Sequence, residues 1–265
     1  MSLRDNCKLC GENRPLMNSH IIPRGLYARV QKQSADRVNE LVHSDPENNS
    51  LYLSSKQLKQ RLLCEEWEAR IQSFEDFYFR LVDKEPDRLA RSVSEESDYL
   101  SNNLSSHFSE VELRKIAGFI LSIFWRCNLS RHRELKDYHG ALGREFSEEV
   151  RLFLLGVGSF PQRTLVRIML YSENDVPEWF SYPSRERQKH SEGYFWSHGI
   201  RCLNFEFDVF RGLHNHYLPP IDDASCSVRL HVAESSIQRS SFVKNLFRTV
   251  SSGDKRGKLK NYLSE

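Results

Sequence analysis

Three cysteines fix the start of this chain. Cys7 and Cys10 stand two residues apart in CKLCG, and Cys64 follows in RLLCEEWE. A Cys-x-x-Cys pair on a turn eased by Gly11 can aim two thiolates at one ion, and a third cysteine entering a helix can close on the same ion. Between them lies SHIIP, Ser19 to Pro23. A histidine followed by two β-branched residues and a proline reads as a strand end with one imidazole, His20, held at its tip. The layout is that of a zinc-stapled ββα unit, in which the zinc is structural and the histidine does the chemistry. Two cysteines at this spacing can also be unligated thiols or a redox motif beside a βαβ pattern, and no such pattern follows.

Composition excludes several classes. The chain has 265 residues, enough to bury a substantial core as one domain or two, with 39% hydrophobic and 28% charged residues. Its formal net charge is only +2, so any binding to nucleic acid must come from a local patch. No apolar run approaches the roughly 18 residues of a membrane span. The opening MSLRDNCKLC is polar and lacks the core of a signal peptide, so a cytoplasmic protein is expected. Six cysteines in so long a chain fit metal binding better than a disulfide framework.

Cys7, Cys10, the SHIIP segment and Leu62-Leu63-Cys64 together resemble the HNH, or His-Me finger, endonuclease module on a treble-clef zinc scaffold. The likeness covers about the first third of the chain and is narrower toward bacterial HNH-like proteins with a SHIIP motif. Members of that class often sit in mobile elements and antiviral defence loci, beside an ATPase or sensor. The resemblance implies structural Zn²⁺ on Cys7, Cys10 and Cys64. It implies His20 as general base and Mg²⁺ or Mn²⁺ as catalytic ion, acting on nucleic-acid phosphodiesters, with DNA the expected substrate. Trp67 stands where the family has its fourth cysteine, Lys59 where it has asparagine, and Ile71 where it has a second metal-binding histidine. Asn48 and Asn49 can serve as displaced substitutes for the asparagine, and Glu68 or Glu75 for the histidine, since carboxylates suit a hard ion. Glu65, Glu66 and Glu68 also have a plainer use, complementing the dipole at a helix start.

Three roles stay open for His20: a structural ring satisfied by a backbone carbonyl, a general base, or the missing fourth zinc ligand. The competing function, of a different class, is a degenerate treble clef that binds nucleic acid or a partner protein and cuts nothing.

The rest of the chain reads as α+β. Residues 1–82 form the HNH-like module, 83–106 a linker or solvated helix, and 107–265 a domain that begins helical and ends in a small antiparallel sheet. Cys64 to Val82 is helical, with Trp67, Ile71, Phe74, Phe77, Tyr78 and Leu81 on one face. Ser109 and Glu112 form a capping box ahead of an almost wholly apolar helix that runs to Trp125, where Arg126 ends the apolar run. Glu145 to Leu155 is amphipathic. Strands follow at Leu165–Tyr171, Tyr194–Trp196, 202–210 and Val228–Val232. Glu206 and Asp208 alternate with apolar residues, as on a half-exposed strand. His214 and His216 are a weaker second metal candidate, and Cys127, Cys202 and Cys226 have no ligand spacing. Arg24, beside SHIIP, and Lys255, Arg256, Lys258 and Lys260 in the basic tail are the candidate phosphate contacts. That tail reads either as a terminal amphipathic helix or as a backbone-binding segment.

Overall fold

The computed structural model describes residues 4–33, 41–45, 50–54, 56–93, 107–171, 180–191, 193–202, 204–218, 228–235 and 254–255. The architecture is mixed α+β. Strands β1 (Arg4–Asn6) and β2 (Asn13–His20) form a hairpin around the cysteine knuckle. Helix α1 (Arg24–Gln33) follows the SHIIP turn, then the paired strands β3 (Leu41–Asp45) and β4 (Ser50–Ser54). Strand β5 (Lys59–Cys64) returns antiparallel to β2, completing a sheet of order β1-β2-β5. Helix α2 (Glu65–Lys84) starts at once, with Glu65, Glu66 and Glu68 in its first turn, where acids complement the dipole. The expected ββα unit is thus present as β2–β5–α2, with α1, β3 and β4 inserted between its strands.

A short helix α3 (Pro86–Ala90) ends the first part of the chain. Helix α4 (Glu110–Leu129) opens on the expected capping box, in which the Ser109 side chain accepts from the Glu112 N–H and the Glu112 side chain accepts from the Ser109 N–H. From Ile116 to Asn128 every residue of α4 is buried. Arg126 does not end the buried run, because its side chain is only 1% exposed and the helix continues to Leu129. Helix α5 (Arg144–Leu155) closes on Gly156, whose φ of 78° is the left-handed conformation that glycine adopts at little cost.

The last part is a five-stranded sheet of order β10-β6-β9-β8-β7. Its strands are β6 (Thr164–Tyr171), β7 (Ser184–His190), β8 (Gly193–Cys202), β9 (Phe205–Arg211) and β10 (Leu230–Ser235). Four strands pair antiparallel as expected, while β10 joins β6 in parallel. Because β9 runs antiparallel to β6, a chain that leaves β9 and turns back lies parallel to β6 on its other side. Strand β7 was not legible in the sequence, since SRERQKH is polar throughout and has no apolar alternation. Of the basic tail, only β11 (Asp254–Lys255) is described, parallel to β4. Arg256, Lys258 and Lys260 lie outside the described residues, as do Asn48, Asn49 and Cys226.

One apolar cluster runs from Cys7 to Val232. At its centre the Tyr78 ring of α2 stacks on Phe119 of α4, with centroids 4.2 Å apart. Both rings meet Phe207 of β9 edge-on. Each such buried side chain contributes about 1.5–3 kcal/mol. Gly118 permits the approach of α2 to α4, because a Cβ there would lie 2.9 Å from the Phe74 ring. Helix α2 is therefore covered by α4 and by the far sheet.

Candidate metal centre and the His20 strand

The sulfurs of Cys7, Cys10 and Cys64 all lie within 4.8 Å of one another. Three backbone features bring them together. Gly11 N–H donates to the Cys7 carbonyl (2.8 Å), closing the knuckle, and Gly11 has a φ of 81°. Lys8 N–H donates to the Leu62 carbonyl (2.9 Å), tying the knuckle to β5. Cys64 is the N-cap of α2 but makes no capping bond through its side chain. Its thiol belongs to the cluster, and its own N–H approaches Cys7 Sγ at 3.4 Å.

The electrostatics favour thiolate at Cys7. Burial pushes its pKa up, but the N–H groups of Cys10, Cys64 and Leu9 around the sulfur outweigh it, and the net shift is down. Cys64 is pushed up, by burial first and then by the neighbouring Cys7 sulfur. Arg151 of α5 donates to the Leu9 carbonyl at 2.5 Å, and its positive charge lies near Cys10. A cation beside three thiolates offsets the charge left when they bind a divalent ion. The donor set therefore fits a metal ion. No described His, Cys, Asp or Glu supplies a fourth donor. Trp67, at the family's fourth position, is half-buried with the Arg70 guanidinium over its ring.

His20 is not part of this cluster. The register pairs Leu16 with Cys64 but His20 with Lys59, so His20 sits at the opposite end of the β2–β5 ladder. Its ring is half-buried, and Nε2 lies 2.9 Å from the Gln57 amide oxygen. A carbonyl oxygen can only accept, so in the neutral ring Nε2 carries the proton and Nδ1 holds the basic lone pair. The pKa of His20 is lowered, chiefly by burial, with the positive charges of Lys59, Arg126 and Arg24 adding to the effect and the Gln57 bond opposing it. Arg24 is exposed at the start of α1 and adds positive charge beside the ring.

The carboxylates proposed to replace the missing histidine are already engaged. Glu68 accepts from the Ser19 hydroxyl at 2.5 Å. Glu75 is buried and accepts from Arg126 Nη2 at 2.8 Å. The other terminal nitrogen of Arg126, Nη1, donates to the His20 carbonyl at 2.8 Å. The cation between the His20 strand and α2 is thus a guanidinium. Among the described residues no second metal-binding group forms, so Glu68 and Glu75 do not assemble with His20 as a site for Mg²⁺ or Mn²⁺. Gln57, Arg126 and Arg151 were not singled out from the sequence. The signal for Arg126 was available: an arginine inside an otherwise buried helix requires a partner.

Elsewhere, Asp208 departs from the half-exposed expectation, while Glu206 is half-buried. Asp208 is buried and paired with Arg167 at 2.8 Å, and Glu206 accepts from the Tyr171 hydroxyl. His214 is exposed and joins no metal group among the described residues, and the side chain of His216 lies outside them. Cys127 and Cys202 are buried core thiols. No described helix is long and apolar enough to cross a membrane.

No protein-family model, no curated protein and no solved structure matches the chain.

Proposed function

We propose that the protein is a metal-stapled endonuclease of the HNH type, acting on nucleic-acid phosphodiesters. The observation that carries this reading is the placement of His20. The β2–β5–α2 unit is closed at one end by the cysteine triad, and a neutral, half-buried imidazole stands at the other. Zinc suits a buried, thiolate-rich site of this kind, where it supplies folding energy. His20 Nδ1 takes the proton from a water that attacks phosphorus, while Gln57 holds the ring by its other nitrogen. A divalent ion, when bound, would supply positive charge at the scissile phosphate. Nucleic acid, with DNA first, and a protein partner such as an ATPase or sensor in a bacterial defence setting follow from the sequence resemblance.

A second reading has its own observation in favour. Arg126 places a fixed cation between Glu75 and the His20 carbonyl, which suits a metal-stapled module that binds nucleic acid or a partner protein without cutting.

Cleavage of plasmid and single-stranded DNA with Mg²⁺ or Mn²⁺, with a zinc assay on the same samples, separates the two. Cutting that is lost in His20→Ala while zinc stays at one equivalent supports the nuclease. A folded, zinc-bearing protein that cuts with neither ion, alone or with a candidate partner, supports the binding module.

A further inference from the structure

The β7–β8 hairpin sorts its side chains by face. Because successive strand residues point to opposite sides, Arg185, Arg187 and Lys189 of β7 share one face. The register sets them opposite His198, Trp196 and Tyr194 of β8. Arg185 lies over the Trp196 ring at 4.5 Å, and Arg187 over the Tyr194 ring at 3.9 Å. All three cations are exposed, and Tyr194 is 55% exposed, one of four large apolar side chains in this position among the described residues. Neither Arg187 nor Lys189 has a carboxylate partner among those residues.

The reverse face is different. It carries Glu186 and Gln188, and Phe195 packs there against Phe210 in a small cluster with Leu165, Leu213 and Leu218. The cation face is anchored only at its inner end, where Arg185 donates to the Ala141 carbonyl and His198 is buried against Tyr138, and its outer end offers Arg187, Lys189 and Tyr194.

β7 is the edge of its sheet, and charged residues on an edge discourage strand addition. That purpose would be met by charges on either face. It does not account for three cations on one face with two aromatic rings among them, or for an exposed tyrosine under a guanidinium. Alternating cations and flat rings match a chain of phosphates and unstacked bases, since the cations track the backbone and each ring offers a π-face. A duplex hides its bases within the stack and gains only from the charges.

We propose that this face of the β7–β8 hairpin binds single-stranded nucleic acid, with Arg187 and Lys189 on phosphates and Tyr194 as a stacking platform. The proposal does not depend on cleavage, and it uses none of the phosphate-contact residues expected from the sequence.

The test is fluorescence anisotropy with labelled oligothymidylate, its RNA counterpart and a duplex of equal length. It uses the His20→Ala protein with no divalent cation added, so that cutting plays no part. The expected result is tighter binding to single strands than to duplex. Tyr194→Ala and Arg187→Ala should each weaken it roughly tenfold, about the loss of one base stack. Lys189→Ala should lower the slope of log affinity against log salt by about one. Gln188→Ala, on the reverse face, should leave binding unchanged. The proposal is overturned if the protein fails to bind single strands, or if the Tyr194 and Arg187 variants bind as the parent does. Equal affinity for duplex would also overturn it. Competition by polyglutamate as effective as by oligonucleotide would reassign the face to acidic protein partners.

Discussion

Arg126 and His20 are 106 residues apart in the chain, yet Arg126 Nη1 donates to the His20 carbonyl at 2.8 Å. Through this bond the most buried helix of the fold holds the end of the strand that carries the imidazole. Glu75 completes the arrangement, and its pKa is pushed up by burial and pulled back by Arg126. Removing one partner of such a pair leaves the other charge stranded. Glu75→Leu or Arg126→Met should each destabilise the protein by about 3–5 kcal/mol, and the double variant by much less than the sum. Urea unfolding of the three variants measures this; additive losses would show that the pair does not act as a unit.

The lowered pKa of His20 has a kinetic consequence. A general base works in its deprotonated form, so activity should fall with acid through the His20 pKa. Burial and three nearby cations place that limb below the ordinary value of 6.5. Gln57→Glu would set a carboxylate beside Nε2 and move the limb to higher pH. Gln57→Ala should lower the rate roughly three- to tenfold, the value of one hydrogen bond that fixes the ring. The pH–rate profiles of wild type and both variants provide the check, and an unmoved limb in Gln57→Glu would remove His20 from the reaction.

Cys64→Ser takes one sulfur from the cluster and should abolish metal binding at the site. Stabilisation by a bound ion is about 4 kcal/mol when free metal is 1,000-fold above its Kd. Calorimetry with and without added zinc should therefore show a metal-dependent Tm in the wild type and a metal-independent, lower one in Cys64→Ser. A Tm that ignores zinc in both would mean the three thiols hold nothing.

Two groups in the far sheet, buried His198 and half-buried Glu206, should give opposed pH dependences. His198 accepts from the Tyr138 hydroxyl at Nδ1, 2.9 Å away, and its Nε2 has no hydrogen-bond partner among the described residues. Burial first, then Arg185 and Arg211, push its pKa down to about 3. Between about 3 and 6.5 the unfolded chain binds one more proton at this site, so stability falls as pH falls. Glu206 behaves in the reverse sense. Burial and then Asp208 raise its pKa to about 7 from 4.5, so the folded state holds the extra proton and stability falls as pH rises through that window. Each slope is about 1.4 kcal/mol per pH unit, and between pH 4.5 and 6.5 they cancel. His198→Gln should uncover the Glu206 slope and Glu206→Gln the His198 slope in chemical denaturation between pH 4.5 and 6.5. A flat profile in either variant would refute its assignment.

The parts of the fold that rest on local pattern were legible in the sequence. The cysteine spacing located the cluster, the aromatic stripe of α2 gave its buried face, and Ser109 with Glu112 gave the start of α4. The parts that rest on long-range neighbours were not. Nothing local announces that Arg126 belongs beside Glu75, that β10 joins β6 in parallel, or that Asp208 is covered and paired with Arg167. Strand β7 escaped because an edge strand needs only one hydrogen-bonded neighbour and no apolar face of its own. His20 occupies the strand tip expected of it, while the carboxylates assigned to a catalytic ion are held by Ser19 and Arg126.

The stacking of Tyr78 on Phe119 and their shared contact with Phe207 also bear on the order of synthesis. Cys7, Cys10 and Cys64 all precede α4 in the chain and are made before it. The nascent chain can then close its metal site while Ile71, Phe77, Tyr78 and Leu81 of α2 still face water. A fragment ending after α2 would keep its ion and expose an apolar stripe, which makes it prone to self-association. With an ion on its three thiols, the first third would be able to order before α4 is made, yet it would still need α4 and the far sheet to cover the apolar stripe of α2.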